Sequence, residues 1–202
     1  YDMVPVFSWI FLGGKCRNCK EKISARYPIV ESLNAVLWTL SAYFIGLNAN
    51  AFIYDALFSA LIVMTFIDID TKEIPNGIVV FIIILSIPLF FTAKDVVWWH
   101  RLVGAVVISV PLYVIALVTG GIGGGDIKLY FALGLVLGLY PTLVSAFIAI
   151  VSAGLIGGAL LLTKKVKKGY ELPLGPFIAL GAVVTVFAGT PIIDGIKNIF
   201  GI

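Results

Sequence analysis

The sequence predicts an all-α integral membrane protein, a polytopic helical bundle with about seven spans. Hydrophobic residues make up 60% of the 202 residues and charged residues only 12%, whereas a soluble domain has about 25% charged residues. The charged residues lie between long apolar stretches, and a helix needs roughly 20 mostly apolar residues to cross a bilayer. The alternation of a transmembrane barrel is missing, so we expect helices, which satisfy their backbone hydrogen bonds internally.

The first 28 residues are the most polar part of the chain, and we predict that they form a cytoplasmic loop that carries both cysteines. Residues 29–202 are predicted to form the transmembrane domain. Pro141 separates two apolar stretches, which we expect to form a tight helical hairpin across Leu139-Tyr140. The predicted spans are 29–47, 52–67, 77–92, 101–119, 127–139, 142–163 and 174–189.

Lysine and arginine placement orients the predicted spans, because cytoplasmic loops carry an excess of both. With the N-terminal loop in the cytoplasm, 11 of the 14 basic residues fall on that side: five in residues 1–28, Lys72, Lys128 and four in residues 164–168. The same threading brings residues 68–76 and 120–126 to one membrane face. The net charge of +3 is small and the basic residues lie in loops, so we expect membrane lipid around the chain and no nucleic-acid partner.

Asp68 follows an apolar run and opens the segment Asp-Ile-Asp-Thr-Lys-Glu-Ile-Pro-Asn, residues 68–76. An ionisable group at membrane depth is costly, which makes it a candidate functional residue. The alternative is a helix end followed by a turn, in which Asp and Asn are ordinary residues. Taken alone, the segment leaves both interpretations open.

Asp126 ends the segment Gly-Gly-Ile-Gly-Gly-Gly-Asp, residues 120–126. As a purely structural residue it would be a helix N-cap. A dinucleotide-binding glycine loop is disfavoured, because no strand precedes it and no βαβ unit surrounds it. Five glycines exceed what a cap needs, and they allow the close backbone approach that a peptide-binding site uses.

Two aspartates at one membrane face, each at the end of a span, predict a catalytic carboxylate pair. Carboxylates held close together share a proton, so one takes a proton from water while the other donates to the scissile carbonyl. The sequence has no Ser-His or Cys-His arrangement suited to the same reaction. We therefore expect Asp68 and Asp126 to hydrolyse a peptide bond without a cofactor.

The two cysteines form a single motif, Cys16-Arg-Asn-Cys19, in the basic N-terminal loop. Tetrahedral zinc takes four ligands, so this motif supplies half of a zinc site. The alternative is a pair of reduced cytoplasmic thiols. The motif does not decide between them.

Four motifs, in order along the chain, resemble those of type IV prepilin peptidases, which are GxGD aspartyl peptidases. Gly123-Gly-Gly-Asp126 followed by Ile-Lys-Leu resembles their second signature, and residues 68–76 resemble the first. The opening Pro5-Val-Phe-Ser-Trp, the Gly-Lys-Cys-Arg-Asn-Cys segment and Ser-Ala-Arg-Tyr-Pro-Ile-Val-Glu resemble the cytoplasmic loop of the family. Leu172-Pro-Leu-Gly-Pro-Phe resembles a stretch in its last span.

The resemblance implies a bacterial inner-membrane enzyme that cleaves the short leader of type IV prepilins and pseudopilins at the cytoplasmic face. It also implies methylation of the new N-terminus with S-adenosylmethionine, and an indirect partnership with the pilus or type II secretion assembly machinery. The implied site consists of catalytic Asp68 and Asp126, supporting Gly123, Gly125, Lys128 and neighbouring Asp70, and candidate metal ligands Cys16 and Cys19.

The chain departs from the family pattern in two respects. Members usually have eight spans and often a further CxxC ahead of the loop, and we interpret the start at Tyr1 as truncation or processing. Asn76 replaces the usual aspartate and leaves the catalytic pair intact.

Two other functions are considered. A peptidase-only member, such as an archaeal preflagellin peptidase, is disfavoured because those enzymes lack the long cysteine-bearing loop. In a small ion-coupled transporter or assembly factor, the aspartates would be ion-relay groups.

Overall fold

The computed structural model describes residues 4, 6–93, 96–164 and 172–200, without the side chains of 190 and 196–200. Apart from one isolated β-bridge between Lys15 and Lys22, the regular structure of these residues is helical, which confirms the all-α prediction. The lysines of the 164–168 cluster beyond Lys164, and Lys94, lie outside the described residues. The helices are α1 (Phe7–Phe11), α2 (Arg26–Phe44), α3 (Ala49–Thr71), α4 (Asn76–Thr92), α5 (Trp98–Thr119), α6 (Gly124–Leu137), α7 (Leu139–Leu162) and α8 (Gly175–Phe200).

Each predicted span corresponds to one of the helices α2–α8, since long apolar stretches favour helices that satisfy their own backbone groups. Among the described residues, α3, α5 and α7 are long and apolar enough to cross a membrane. Two apolar helical stretches are shorter, α4 and the Gly175–Gly189 part of α8. The membrane character is thus confirmed by length and composition, and the number of seven spans stays a prediction.

The break between α6 and α7 differs from the predicted hairpin across Leu139-Tyr140. The chain turns one residue earlier, at Gly138, whose φ of 84° lies in the left-handed region. Glycine adopts such a φ without the steric cost that a Cβ would bring. Pro141 lies inside the first turn of α7, where its missing N–H has no intrahelical partner to lose.

The chain divides into two compact units, Tyr1–Val63 and Met64–Ile202. The first contains the β-bridge, α1, α2 and the first part of α3. Polar contacts join α2 to α3 within it: the Ser59 hydroxyl donates to Asn34 Oδ1 at 2.7 Å, and Trp38 Nε1 donates to Ser59 Oγ at 3.3 Å. The predicted domain boundary at residue 28 stays a prediction.

In the second unit, α6 lies at the centre and contacts α4, α5, α7 and α8. Its C-terminal half is buried, from Ala132 to Leu137. Because several helices surround α6, their packing fixes the position of its first turn, which carries Asp126.

The crossing of α5 and α6 is unusually close. A Cβ built on Gly134 would lie 2.2 Å from the carbonyl oxygen of Gly104, so glycine is required where the two backbones meet. Arg101, in the first turn of α5, is 0% exposed and donates hydrogen bonds to the carbonyl oxygens of Leu135 and Val136. A cation at the C-terminal end of a helix complements its dipole, so Arg101 stabilises the end of α6 opposite Asp126.

Candidate active site

Asp68 lies in the last turn of α3 rather than at the helix end. The helix continues to Thr71, and it ends where Lys72 takes a φ of 56° and its N–H donates to the Asp68 carbonyl at 2.8 Å. The Asp68 side chain is only 4% exposed. It is therefore a buried acid of the helix, and the simple turn interpretation does not account for it.

The Asp68 carboxylate has a partner far away in the sequence. Its Oδ2 accepts a hydrogen bond from the backbone N–H of Gly175, the first residue of α8, at 2.8 Å. An ionised carboxylate at the N-terminal end of a helix interacts favourably with the free N–H groups there. The N-terminal end of α8 therefore contacts Asp68, one of the two candidate catalytic residues.

Asp126 lies in the first turn of α6, and the N-cap position belongs to Gly123. The Asp126 side chain folds back over the start of the helix, since a Cβ built on Gly123 would lie 3.2 Å from Asp126 Oδ2. The N-cap interpretation of Asp126 is thus wrong, although an acid in the first turn does complement the helix dipole.

The two aspartates line one cavity of about 280 Å³. Segments 68–76 and 123–128 both contribute to it, so the structure brings together the two segments that carry the candidate acids. The residues that line it are Asp68, Lys72, Glu73, Ile74, Asn76, Gly123, Gly124, Gly125, Asp126 and Lys128.

The electrostatic environment of Asp126 favours its protonated form. This residue precedes the apolar stretch of α6, which begins at Ile127. Burial raises the pKa of Asp126 from 3.8 to about 6, with a further contribution from the Asp68 carboxylate. Asp126 therefore holds its proton to a higher pH than an ordinary aspartate does, as is expected of the acid in a carboxylate pair.

The glycine-rich segment, residues 120–126, contacts the segment 68–76 at Gly125. A Cβ built on Gly125 would lie 2.9 Å from Cβ of Ile74, whereas one built on Gly124 would have nothing within 4 Å. Gly125 thus permits the close approach of the two segments, and Asp126 follows it directly.

Lys128 is held at the edge of the cavity by α4. Its Nζ donates a hydrogen bond to Oδ1 of Asn76 at 3.0 Å. Both residues also line an adjoining open groove of about 570 Å³ between α4, α5 and α6. Asn76 therefore binds the lysine through a neutral amide.

Not every predicted site residue lies at the cavity. Gly123, Gly125 and Lys128 line it with the two acids. Asp70 is exposed on α3 and does not belong to this lining.

The sequence does not single out Lys72, Glu73, Ile74 or Gly175 as functional residues. The first three belong to the segment that resembles the first signature, and Gly175 belongs to the Pro-Leu-Gly-Pro stretch. Both motifs were recognisable, but neither indicates which of its residues contacts the acids.

Cys16 and Cys19 lie on the turn of the small hairpin in the first unit. The N–H of Cys16 donates to the carbonyl of Glu21 at 2.8 Å, and the two cysteines are not joined by a disulfide. Across residues 4, 6–93, 96–164 and 172–200, no group of three or more His, Cys, Asp or Glu residues is arranged to hold a metal ion. Zinc binding by the two cysteines therefore stays a prediction.

Comparison with known families matches most of the chain. The profile of the type IV leader peptidase family matches residues 56–158, which include Asp68 and Asp126. The profile of the bacterial peptidase A24 N-terminal domain matches residues 1–45.

Individual relatives agree with these matches, and each bears the name prepilin leader peptidase/N-methyltransferase. The Bacillus subtilis (strain 168) protein is 34% identical over 96% of this chain and 78% of its own length. The Stutzerimonas stutzeri protein is 31% identical over 95% of this chain and 68% of its own length. That of Xanthomonas campestris pv. campestris is 30% identical over 100% of this chain and 72% of its own length. No solved structure matches the chain.

These matches cover both units and include the segments that line the cavity. They confirm the resemblance that the four motifs indicate. The chain therefore belongs to the type IV leader peptidase family.

Proposed function

We propose that this protein is a membrane aspartyl endopeptidase that removes the leader of prepilins or pseudopilins, with Asp68 and Asp126 as its catalytic pair. The observation that carries the proposal is the shared cavity, which contains both acids and both signature segments. The names of the relatives supply the substrate class.

The chemistry follows from the proton that the two acids share. Asp126, whose pKa is raised to about 6, donates its proton to the scissile carbonyl oxygen, while Asp68 takes a proton from the attacking water. The C–N bond of the tetrahedral intermediate then breaks, the proton on Asp68 passes to the leaving amine, and the hydroxyl group that Asp126 protonated returns its proton to Asp126. Lys128 lines the same cavity, and its positive charge favours the negative charge that develops on the carbonyl oxygen before the proton transfer is complete.

Replacement of either acid tests this assignment. Asp68→Asn and Asp126→Asn should each lower kcat for cleavage of a leader-bearing prepilin by at least about a thousandfold, because paired groups act as a unit. Asp194→Asn, a change on an exposed position of α8, should leave kcat unchanged. Wild-type turnover in either catalytic variant would refute the pair, and a wild-type protein that cleaves no prepilin would favour the transporter alternative.

A second activity, methylation of the new N-terminus, is supported by the double name of the relatives. S-adenosylmethionine would supply the methyl group, and none of the cavities described above has a set of residues that identifies its binding site. The measurement is transfer of labelled methyl groups from S-adenosylmethionine to the cleaved pilin. Cleavage without methyl transfer would restrict the proposal to the peptidase.

We further propose that the protein lies in the bacterial inner membrane with the catalytic cavity on the cytoplasmic side, which the distribution of basic residues supports. Single cysteines at Lys164 and Val97, in a chain without Cys16 and Cys19, should react with an impermeant thiol reagent from opposite sides. Reaction of both from the same side would contradict the orientation.

A further inference from the structure

The N-terminal end of α8 contacts the Asp68 carboxylate directly. Gly175 is the first residue of the helix, and its buried backbone N–H donates to Asp68 Oδ2 at 2.8 Å. The first residues of any α-helix have N–H groups without an intrahelical acceptor. Here a carboxylate from a different helix, 107 residues away in sequence, accepts one of them.

The local sequence makes Gly175 the donor. Pro176 follows it and has no N–H to offer. The next two N–H groups, of Phe177 and Ile178, both donate to the carbonyl oxygen of Leu174 at 3.0 Å. The Gly-Pro pair thus presents a single amide to Asp68, which gives the Pro-Leu-Gly-Pro motif a physical role.

The contact also requires glycine for its size. A Cβ built on Gly175 would lie 2.7 Å from Asp68 Oδ2 and 2.8 Å from Sδ of Met64. Met64, one turn before Asp68, is completely buried. Because Asp68 lines the cavity, its carboxylate is the group that a larger residue at this position displaces.

We propose that Gly175 is a positioning residue for the dyad, which holds one oxygen of Asp68 and restricts rotation of its carboxylate. The other oxygen is then left to face the water and the proton shared with Asp126. Gly175 is assigned no contact with the substrate and acts only through Asp68. The inference rests on the proposed peptidase function.

Two variants separate the hydrogen bond from the space that glycine provides. In Gly175→Ala the N–H remains, but Asp68 Oδ2 has to retreat by about 0.7 Å to reach the 3.4 Å of ordinary contact. Replacement of residue 175 by glycolic acid, through nonsense suppression, exchanges the N–H for an oxygen and adds no atom to the side chain. Gly158→Ala is the matched control, because a Cβ there meets nothing within 4 Å.

The readout is kcat and KM for prepilin cleavage, per folded enzyme, with the folded fraction taken from size-exclusion chromatography. Since a misplacement of 1 Å can cost about a hundredfold in rate, Gly175→Ala should lower kcat by about ten- to a hundredfold. The glycolate variant should lower kcat by about tenfold, because it loses a charge-assisted hydrogen bond. In both, KM should stay within about twofold of wild type, because the substrate contacts are retained.

The outcomes are distinguishable. Wild-type kcat in both variants overturns the inference, and a slow alanine variant with a fully active glycolate variant also overturns it, since glycine would then only supply room. If Gly175→Ala does not fold, the glycolate variant alone decides. An Asp68→Asn variant that still cleaves prepilin would instead refute the proposed function, whatever Gly175 does.

Discussion

Gly124 and Gly125 are adjacent in the glycine-rich segment, yet the structure predicts opposite effects for their replacement by alanine. Neither has φ in the left-handed region, so alanine is not excluded by backbone strain. At Gly125 the new Cβ would lie 2.9 Å from Cβ and 3.3 Å from Cγ1 of Ile74, whereas ordinary contact begins at 3.4 Å. Because the Ile74 Cβ is bonded to the main chain, no rotamer change moves it away.

The first turn of α6 and the Ile74 segment therefore have to separate by about 0.5 Å in Gly125→Ala. Asp126 is the next residue and moves with the turn. If 1 Å costs about a hundredfold in rate, half of that displacement costs about tenfold in kcat. Overpacking of this kind also destabilises by about 1–3 kcal/mol, so the thermal midpoint should fall.

The assay is cleavage of a leader-bearing prepilin by wild type, Gly124→Ala and Gly125→Ala in the same detergent, together with thermal unfolding of each. Gly124→Ala should keep wild-type kcat and a thermal midpoint at least as high, since alanine in a helix is more favourable than glycine by up to about 1 kcal/mol. Equal losses in the two variants, or full activity and stability in Gly125→Ala, would refute the packing argument.

Three further predictions concern stability, pH and metal. Gly134→Ala should lower the thermal midpoint, because the new Cβ would lie 2.2 Å from the Gly104 carbonyl oxygen. An unchanged midpoint would contradict the close crossing of α5 and α6. Because the pKa of Asp126 is about 6, kcat should decline as the pH rises from about 6 to about 8 and the acid loses its proton, and a constant kcat over that range would contradict its role as the acid. If Cys16 and Cys19 contribute to a zinc site, their joint replacement by serine should reduce zinc measured by mass spectrometry and weaken methyl transfer more than cleavage; full methylation without zinc would exclude this.

Much of the fold could be predicted because the determining patterns are local. Long apolar stretches predicted helices, and each predicted span corresponds to one of α2–α8. The boundaries were less accurate where a single residue decides them: the break at Gly138 depends on its φ of 84°, and the extension of α3 to Thr71 places Asp68 inside the helix. The hydropathy of the sequence indicates neither the break at Gly138 nor the extension of α3.

The candidate acids were also predictable, because each belongs to a short motif with a chemical rationale. Gly123, Gly125 and Lys128 were also predicted as supporting residues, but the contacts that hold the site together were not. The contact of Gly175 with Asp68 joins residues 107 apart, and the contact of Lys128 with Asn76 joins residues 52 apart. No local sequence pattern indicates a contact between residues that are so far apart in the sequence.

By itself, then, the sequence determined an all-α membrane protein of the type IV leader peptidase family and its two candidate catalytic acids. Only the tertiary structure decided which glycines are needed for close approach, that Asp70 lies away from the cavity while Lys128 lies at its edge, and that Arg101 is buried against the end of α6. The physical reason is that helix formation depends on neighbouring residues and on the apolar surroundings. The approach of one helix to another depends instead on steric contacts of a few tenths of an ångström, summed over several helices that are distant in sequence.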